Sequence, residues 1–190
     1  MKDGFIQAFR KGNAITRLSA IILGLGNLAG KQIIKGILYL AMEVSFICFM
    51  IFKGMNCLAM LPGLGGREQQ EIWNEKLGVY EYVAGDNSLL ILLYGVATIF
   101  LIAAYVVLVM SSVKSAYNVQ SRLALGKHIN TFVEDVKSLF NENLHKLLLT
   151  LPVGGILIFT ILPLVFMISM AFTNYSKVDS HLVLFDWVGL

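Results

Sequence analysis

Apolar residues fall in long blocks along this chain. Three reach spanning length: residues 33–52, reading IIKGILYLAMEVSFICFMIF, residues 88–110 and residues 147–172. A helix crosses the hydrocarbon of a bilayer with about 20 mostly apolar residues, and each block meets that length. A shorter apolar stretch, residues 18–29, precedes the first. At about a dozen residues it is too short to cross unaided, and it holds Gly24, Gly26 and Asn27. It reads as an interfacial or half-inserted helix that turns near Gly30 into the first span. The alternative is one long, kinked helix from about Thr16 to Phe52.

The polar segments between the blocks carry their own signals. Residues 53–87 open on a Pro62-Gly63-Leu64-Gly65-Gly66 turn, and the polar run after it, Arg67 to Leu77, predicts a short helix. Glu68, Glu71, Glu75, Glu81 and Asp86 suit a solvated surface. A phosphate-cradling loop would need a following Lys-Ser/Thr and a strand before it, and both are absent from the sequence pattern. In residues 111–146, Ile129, Phe132, Val133, Val136, Leu139, Phe140 and Leu144 recur at helical spacing. Glu134, Asp135, Lys137, Asn141 and Glu142 take the opposite face, and Thr131 with Glu134 has the spacing of a capping box. This predicts an amphipathic helix lying against the membrane or the bundle, or offering a docking surface to a cytoplasmic partner.

The expected fold is an all-α integral membrane bundle. It has three transmembrane helices, an N-terminal interfacial helix and a cytoplasmic amphipathic helix. The chain divides into residues 1–32, a cytoplasmic and interfacial segment, and 33–110, two spans joined by an external loop at 53–87. Residues 111–146 form a cytoplasmic loop, and 147–190 hold the third span and an external start of a further region.

Composition agrees. Of 190 residues, 57% are hydrophobic and 14% charged, against roughly 45–50% and 25% in soluble domains. One soluble core of this length could not bury so much apolar side chain and still cover its surface. Soluble enzyme, secreted disulfide module and disordered tail are disfavoured together. A net charge of +3, with no basic run interleaved with aromatics, gives no sign of nucleic-acid binding. Cys48 and Cys57 make neither a disulfide framework nor a metal-ligand spacing. The N-terminus is polar to Arg17 and lacks the cleavage site of a signal peptide.

Charge then sets orientation. Lys and Arg number 6 up to Lys35, 3 in residues 53–87, 5 in residues 111–146 and 1 after the third block. The positive-inside tendency places the N-terminus and the 111–146 segment in the cytoplasm. The 53–87 loop and the C-terminal tail then lie outside.

Candidate chemistry is sparse. His128, His145 and His181 are isolated from one another, and Ser111-Ser112 has no base or acid at catalytic spacing. No catalytic residue, metal ligand or cofactor is predicted. Glu43 is the one ionisable residue deep within a span. A charge there is expensive, so it should face the bundle, a water-filled cavity or a polar partner. Tyr94, Thr98 and Tyr105 are candidate donors, and burial would favour its protonated form. As a lone acid it reads as structural glue or as a functional site. Pro152, Pro163 and Gly154-Gly155 interrupt the third span, as a pore-lining broken helix or a packing kink would. Trp73, Trp187 and the tyrosines could line a ligand site, but an interfacial aromatic belt explains them as readily; Tyr80, Tyr82, Tyr175 and Trp187 fall at interface height, and the belt is the reading taken.

The last block is the most specific. LLLTLPVGGILIFTILPLVFMISMAFTNYS leads to Leu184-Phe185-Asp186-Trp187-Val188-Gly189-Leu190. This resembles the start of the core of sugar permease subunits in bacterial ATP-binding-cassette (ABC) importers, and "AFTNY…LFDWVGL" looks like their maltose/maltodextrin group. The Gly24–Gly36 stretch is similar too. The resemblance implies an inner-membrane sugar permease with a second permease subunit, two ATPase subunits and an extracytoplasmic sugar-binding protein. ATP would be bound by the partners alone. It also implies later helices and a cytoplasmic "EAA" coupling loop, which this chain does not contain, so the chain is expected to be the N-terminal part of a longer permease. No substrate residue is carried over. The alternatives are a permease of another ABC importer and a free-standing anchor or scaffold using the amphipathic helix.

Overall fold

Each apolar block forms a helix longer than the block itself. The computed structural model describes residues 4–68, 70–75, 77–175 and 184–188. Helices Ile33–Met60, Ser88–Ala124 and Leu144–Ala171 are long and apolar enough to cross a membrane, at 28, 37 and 28 residues. At 1.5 Å per residue the second runs about 55 Å, well past the ~30 Å of bilayer hydrocarbon. The excess is residues 111–124, which the hydropathy pattern leaves to a loop. That segment, SSVKSAYNVQSRLA, holds no Gly or Pro, so a helix already formed simply propagates through it. It stops at Gly126, whose φ of 59° only glycine adopts freely. The Gly126 N–H donates to Leu123 O and the Lys127 N–H to Arg122 O, the paired closure of a Schellman motif.

The first long helix passes through one π-helical turn, Met50–Gly54, before ending ahead of Pro62. The third contains Pro152 and a second π-helical turn, Leu157–Ile161, just before Pro163. Proline has no N–H and crowds the carbonyl four residues back, so Pro163 cannot pair Phe159 O and the ladder is rewound there.

The N-terminal segment is broken rather than one kinked rod. It forms three short helices, Phe5–Lys11, Ala14–Leu18 and Leu25–Ala29. Asn13 caps the second by accepting the Thr16 N–H at 2.9 Å. Gly24, at φ 82°, makes the bend before the third, and Lys31, at φ 63°, makes the turn into the first long helix.

The segment after the Pro62–Gly66 turn corrects the helix expected there. Gln70–Asn74 and Val79–Val83 pair as an antiparallel hairpin. Ile, Trp, Tyr and Val prefer a pleated backbone, and Gly78 supplies the φ of 64° that the turn needs. The amphipathic helix does form, at Phe132–Phe140, with the Thr131–Glu134 capping box complete.

Two compact units result. One comprises residues 1–50 and 101–154, the other 51–100 and 155–190. The second is centred on buried Leu64, Leu92, Val96 and Phe185, with Leu61, Phe166, Met170 and Trp187 packed around them. The first holds few large buried apolar side chains and is organised around polar groups.

Candidate functional site

The most unusual feature of the first unit is its buried polar core. Glu43, on the first long helix, is 7% exposed. Its carboxylate accepts the backbone N–H of Leu23 at 2.8 Å. That donor is available because the chain between Leu18 and Leu25 has left the helical ladder, which orphans its N–H groups. The next orphan, the Gly24 N–H, donates to Ser112 Oγ at 3.0 Å, and Ser112 Oγ donates in turn to Ser19 O at 3.3 Å. The Gly26 N–H donates to Ser19 Oγ at 2.8 Å. A broken segment inside apolar surroundings needs such partners, because an unpaired buried amide costs about 1–3 kcal/mol.

Small residues let the segment come close. A side chain on Gly24 would strike the Gly36 carbonyl, and one on Gly26 would strike Ala116 Cβ. Backbone-to-backbone approach of this kind is how helices associate in membranes, where apolar burial gives little preference for protein over lipid. The Tyr105 hydroxyl lies beside the Glu43 carboxylate, and the Phe46 ring stacks on Tyr105 at 3.9 Å with planes 5° apart. Of the three proposed donors, Tyr105 is therefore the partner. Tyr94 instead faces Lys53, whose ammonium lies 4.6 Å from the ring centroid, and Thr98 Oγ1 donates to Tyr94 O.

The network continues past Asn27. Its side-chain amide donates to Ser115 Oγ at 2.9 Å and Gln32 Oε1 at 3.3 Å, while its Oδ1 has no partner among the described residues. Gln32 Nε2 donates to Asn130 O at 2.6 Å. The Asn130 side chain accepts from Arg122 and donates to Asp135 Oδ1. Lys35 Nζ closes the chain on Asp135 at 3.0 Å. Gln32, Lys35, Ser115, Arg122, Asn130 and Asp135 line a polar cleft of about 290 Å³. The amphipathic helix is thus fixed to the first long helix by an ion pair. At its start, Glu134 takes the Thr131 N–H and then His128, and both hold its carboxyl below the usual range.

In the second unit the closing motif of the sequence acquires a geometry. Thr173 and Trp187 form an antiparallel bridge. The Asn174 N–H donates to Asp186 O at 2.9 Å, the Asp186 N–H to Asn174 Oδ1 at 2.8 Å and the Val188 N–H to Phe172 O at 2.8 Å. So Phe172-Thr173-Asn174 clasps Asp186-Trp187-Val188. The Trp187 indole N–H donates to Leu61 O at 3.1 Å and the Phe185 N–H to Ser88 Oγ at 3.1 Å. These are the residues that carry the resemblance to sugar permeases.

Comparison with known proteins agrees with them. Over 91% of its length the chain is 29% identical to the maltodextrin transport system permease protein of Streptococcus pneumoniae. Over 90% it is 26% identical to the maltodextrin transport system permease protein of Bacillus subtilis. Over 92% it is 29% identical to the galactooligosaccharides transport system permease protein of the same organism. The chain resembles oligosaccharide permeases. It spans 37–38% of the length of these permease relatives. Neither a family profile nor a solved structure matches it.

Beside those permeases the remaining candidates fall into place. His128 is exposed and paired to Glu134, His145 is exposed on the third helix, and His181 lies outside the described residues. Cys48 and Cys57 are free thiols. No group of three or more His, Cys, Asp or Glu able to hold a metal occurs among the described residues. Trp187, expected in an interfacial belt, is part-buried as a staple. Trp73 and Tyr80 are exposed on the hairpin. The residues missed from sequence are Ser19, Ser112, Ser115, Gln32, Asn130 and Asp135. Polar side chains at Ser111–Gln120, inside an otherwise unbroken helix, were the signal for three of these contacts.

Proposed function

We propose that this chain is part of the membrane-embedded permease subunit of an ATP-driven ABC importer for oligosaccharides of the maltodextrin type. One observation carries the reading: nine-tenths of the chain aligns with permease proteins of named maltodextrin and galactooligosaccharide transport systems. Three spanning helices and the clasp at Thr173–Trp187 support it. On this reading the chain hydrolyses nothing itself. A second permease subunit, two ATPase subunits and an extracytoplasmic sugar-binding protein complete the machine in the bacterial inner membrane. The bundle alternates access, and ATP bound by the partners supplies the differential free energy between states. The N-terminus and residues 111–146 face the cytoplasm, and the hairpin faces outside, a reading that the 6, 3, 5, 1 distribution of Lys and Arg supports.

Glu43 serves in this reading as the anchor of a broken helix segment rather than as a proton carrier. A backbone N–H binds its carboxylate and a phenol lies beside it.

Disruption of the gene encoding this chain should abolish uptake of labelled maltotriose while glucose uptake continues. Unchanged oligosaccharide uptake would overturn the proposal. Cysteines placed at 60–68 or 70–75 should label from outside and those at 115–124 should not; the opposite result would reverse the orientation. A scaffold role is the second reading, favoured by Val133 and Phe140, which stand exposed on the amphipathic helix at 57% and 60%. It gains only if uptake survives disruption and a soluble protein is held through that helix.

A further inference from the structure

The hairpin carries large side chains that stand exposed. Its register sets Glu71 opposite Tyr82 and Trp73 opposite Tyr80. Side chains alternate along a strand, so these four share one face, and Ile72, Val79 and Val83 take the other. The Trp73 and Tyr80 rings meet edge to face, with centroids 4.9 Å apart and planes at 65°. Trp73, Tyr80 and Tyr82 are 50%, 62% and 69% exposed. Tyr82 stands directly across the ladder from Glu71, and a carboxylate with about four lone-pair sites has capacity for several donors.

Three exposed aromatic rings around one carboxylate need a reason, because exposed apolar clusters mark binding surfaces. Charge argues against a lipid surface. In sequence, residues 70–83 carry Glu71, Glu75 and Glu81 against a single lysine, whereas anionic headgroups attract basic segments. Insertion of this face would also carry Glu71 toward the hydrocarbon, which is costly. A carbohydrate answers both halves of the surface. A pyranose ring presents a face of C–H groups that stacks on an aromatic ring, and a rim of hydroxyls that donate charge-assisted hydrogen bonds to a carboxylate.

We propose that the Glu71, Trp73, Tyr80 and Tyr82 face of the hairpin is an oligosaccharide-binding surface, separate from any path through the spans. The choice of oligosaccharide as occupant rests on the permease reading above. Trp73 stacks on one sugar ring, Tyr80 and Tyr82 flank the next, and Glu71 accepts from their hydroxyls. A chain of sugars suits this open ribbon better than a single ring, because successive rings lie along successive side chains of the face.

The chain has two tryptophans, Trp73 and Trp187, so in a Trp187→Phe background Trp73 is the sole indole reporter. The full chain, reconstituted in nanodiscs, should show a saturable change in Trp73 emission with maltoheptaose. Tyr80→Ala should weaken binding about tenfold or more, and Glu71→Gln should weaken it less. Ile72→Ala, on the opposite face, should leave it unchanged and reports that the hairpin still folds. No saturable response, or equal weakening by Ile72→Ala, would overturn the inference. So would quenching of Trp73 by brominated phosphatidylglycerol in the disc, which would place the face in lipid. The uptake experiment separates the two claims: uptake lost on gene disruption with no Trp73 response sinks the hairpin surface and leaves the permease. Saturable binding without an uptake phenotype does the reverse.

Discussion

The two units of this protein hold themselves together by different means. The unit of residues 51–100 and 155–190 relies on an apolar cluster, Leu64, Leu92, Val96 and Phe185, pinned by two staples. The unit of residues 1–50 and 101–154 buries Ser19, Asn27, Gln32, Glu43 and Ser112, and its few buried apolar side chains are mostly small. The difference follows from the backbone. Where a segment leaves the helical ladder between Leu18 and Leu25, its amides must find side-chain partners, since hydrocarbon offers none. In the other unit the chain beside the apolar cluster keeps its backbone groups paired within helices and the Thr173–Trp187 clasp, and apolar packing suffices. Polar burial is therefore a consequence of the broken N-terminal segment.

The largest expected effect tests the broken segment itself. Gly24→Ala combines a left-handed φ with a clash against the Gly36 backbone, and should destabilise by about 3 kcal/mol in thermal or denaturant unfolding in detergent. Wild-type stability would mean that the bend is not held as described. Next comes Glu43. Its removal in Glu43→Ala orphans the Leu23 N–H and should cost about 2 kcal/mol, while Glu43→Gln keeps an acceptor and should cost less than about 1. A Glu43→Gln variant of normal abundance that transports nothing would assign Glu43 a titratable role instead. In the apolar unit the matched test is milder: Ser88→Ala or Trp187→Phe removes one hydrogen bond and should cost about 1 kcal/mol. An effect larger than that of Glu43→Ala would erase the contrast between the units.

Two smaller effects sharpen it. Lys35→Met breaks a pair whose side chains are each about 30% exposed, and should cost about 0.5 kcal/mol, less at high salt. The last is a pH dependence. Asp86 accepts the Gly66 and Arg67 N–H groups, both at 3.1 Å, and these, with Arg67 beside it, hold its carboxyl below the ordinary 3.8. Because the folded value is the lower one, Asp86 contributes stability above 3.8 that is lost as pH falls through the folded value. Amide exchange at Gly66 and Arg67 should accelerate there in the wild type. In Asp86→Asn it should be flat with pH once corrected for intrinsic rates; an unchanged acid limb would remove Asp86 as its source.

How much of this was legible depended on the range of the signal. Span existence was legible because hydropathy acts locally. So was the capping box, since Thr131 and Glu134 satisfy each other three residues apart. The hairpin was not, because a short polar run with Trp73, Tyr80 and Tyr82 suits either period until Gly78 closes the turn. Residues 111–124 were missed because helix propagation does not depend on hydropathy. For Glu43 the depth in the span was legible, but its partner was not: Leu23 lies 20 residues away and its N–H is free only because Gly24 bends the chain.

The sequence by itself determined that this protein belongs in a bilayer, how many helices can span it and, through the AFTNY…LFDWVGL motif, which permeases it resembles. Those properties are sums over neighbouring residues, or runs of identity. Only the tertiary structure decided what Glu43 holds, how Phe172-Thr173-Asn174 clasps Asp186-Trp187-Val188, and which side chains the hairpin leaves to solvent. A hydrogen bond made across tens of residues depends on two backbone paths meeting within about 3 Å, and that meeting is a property of the fold.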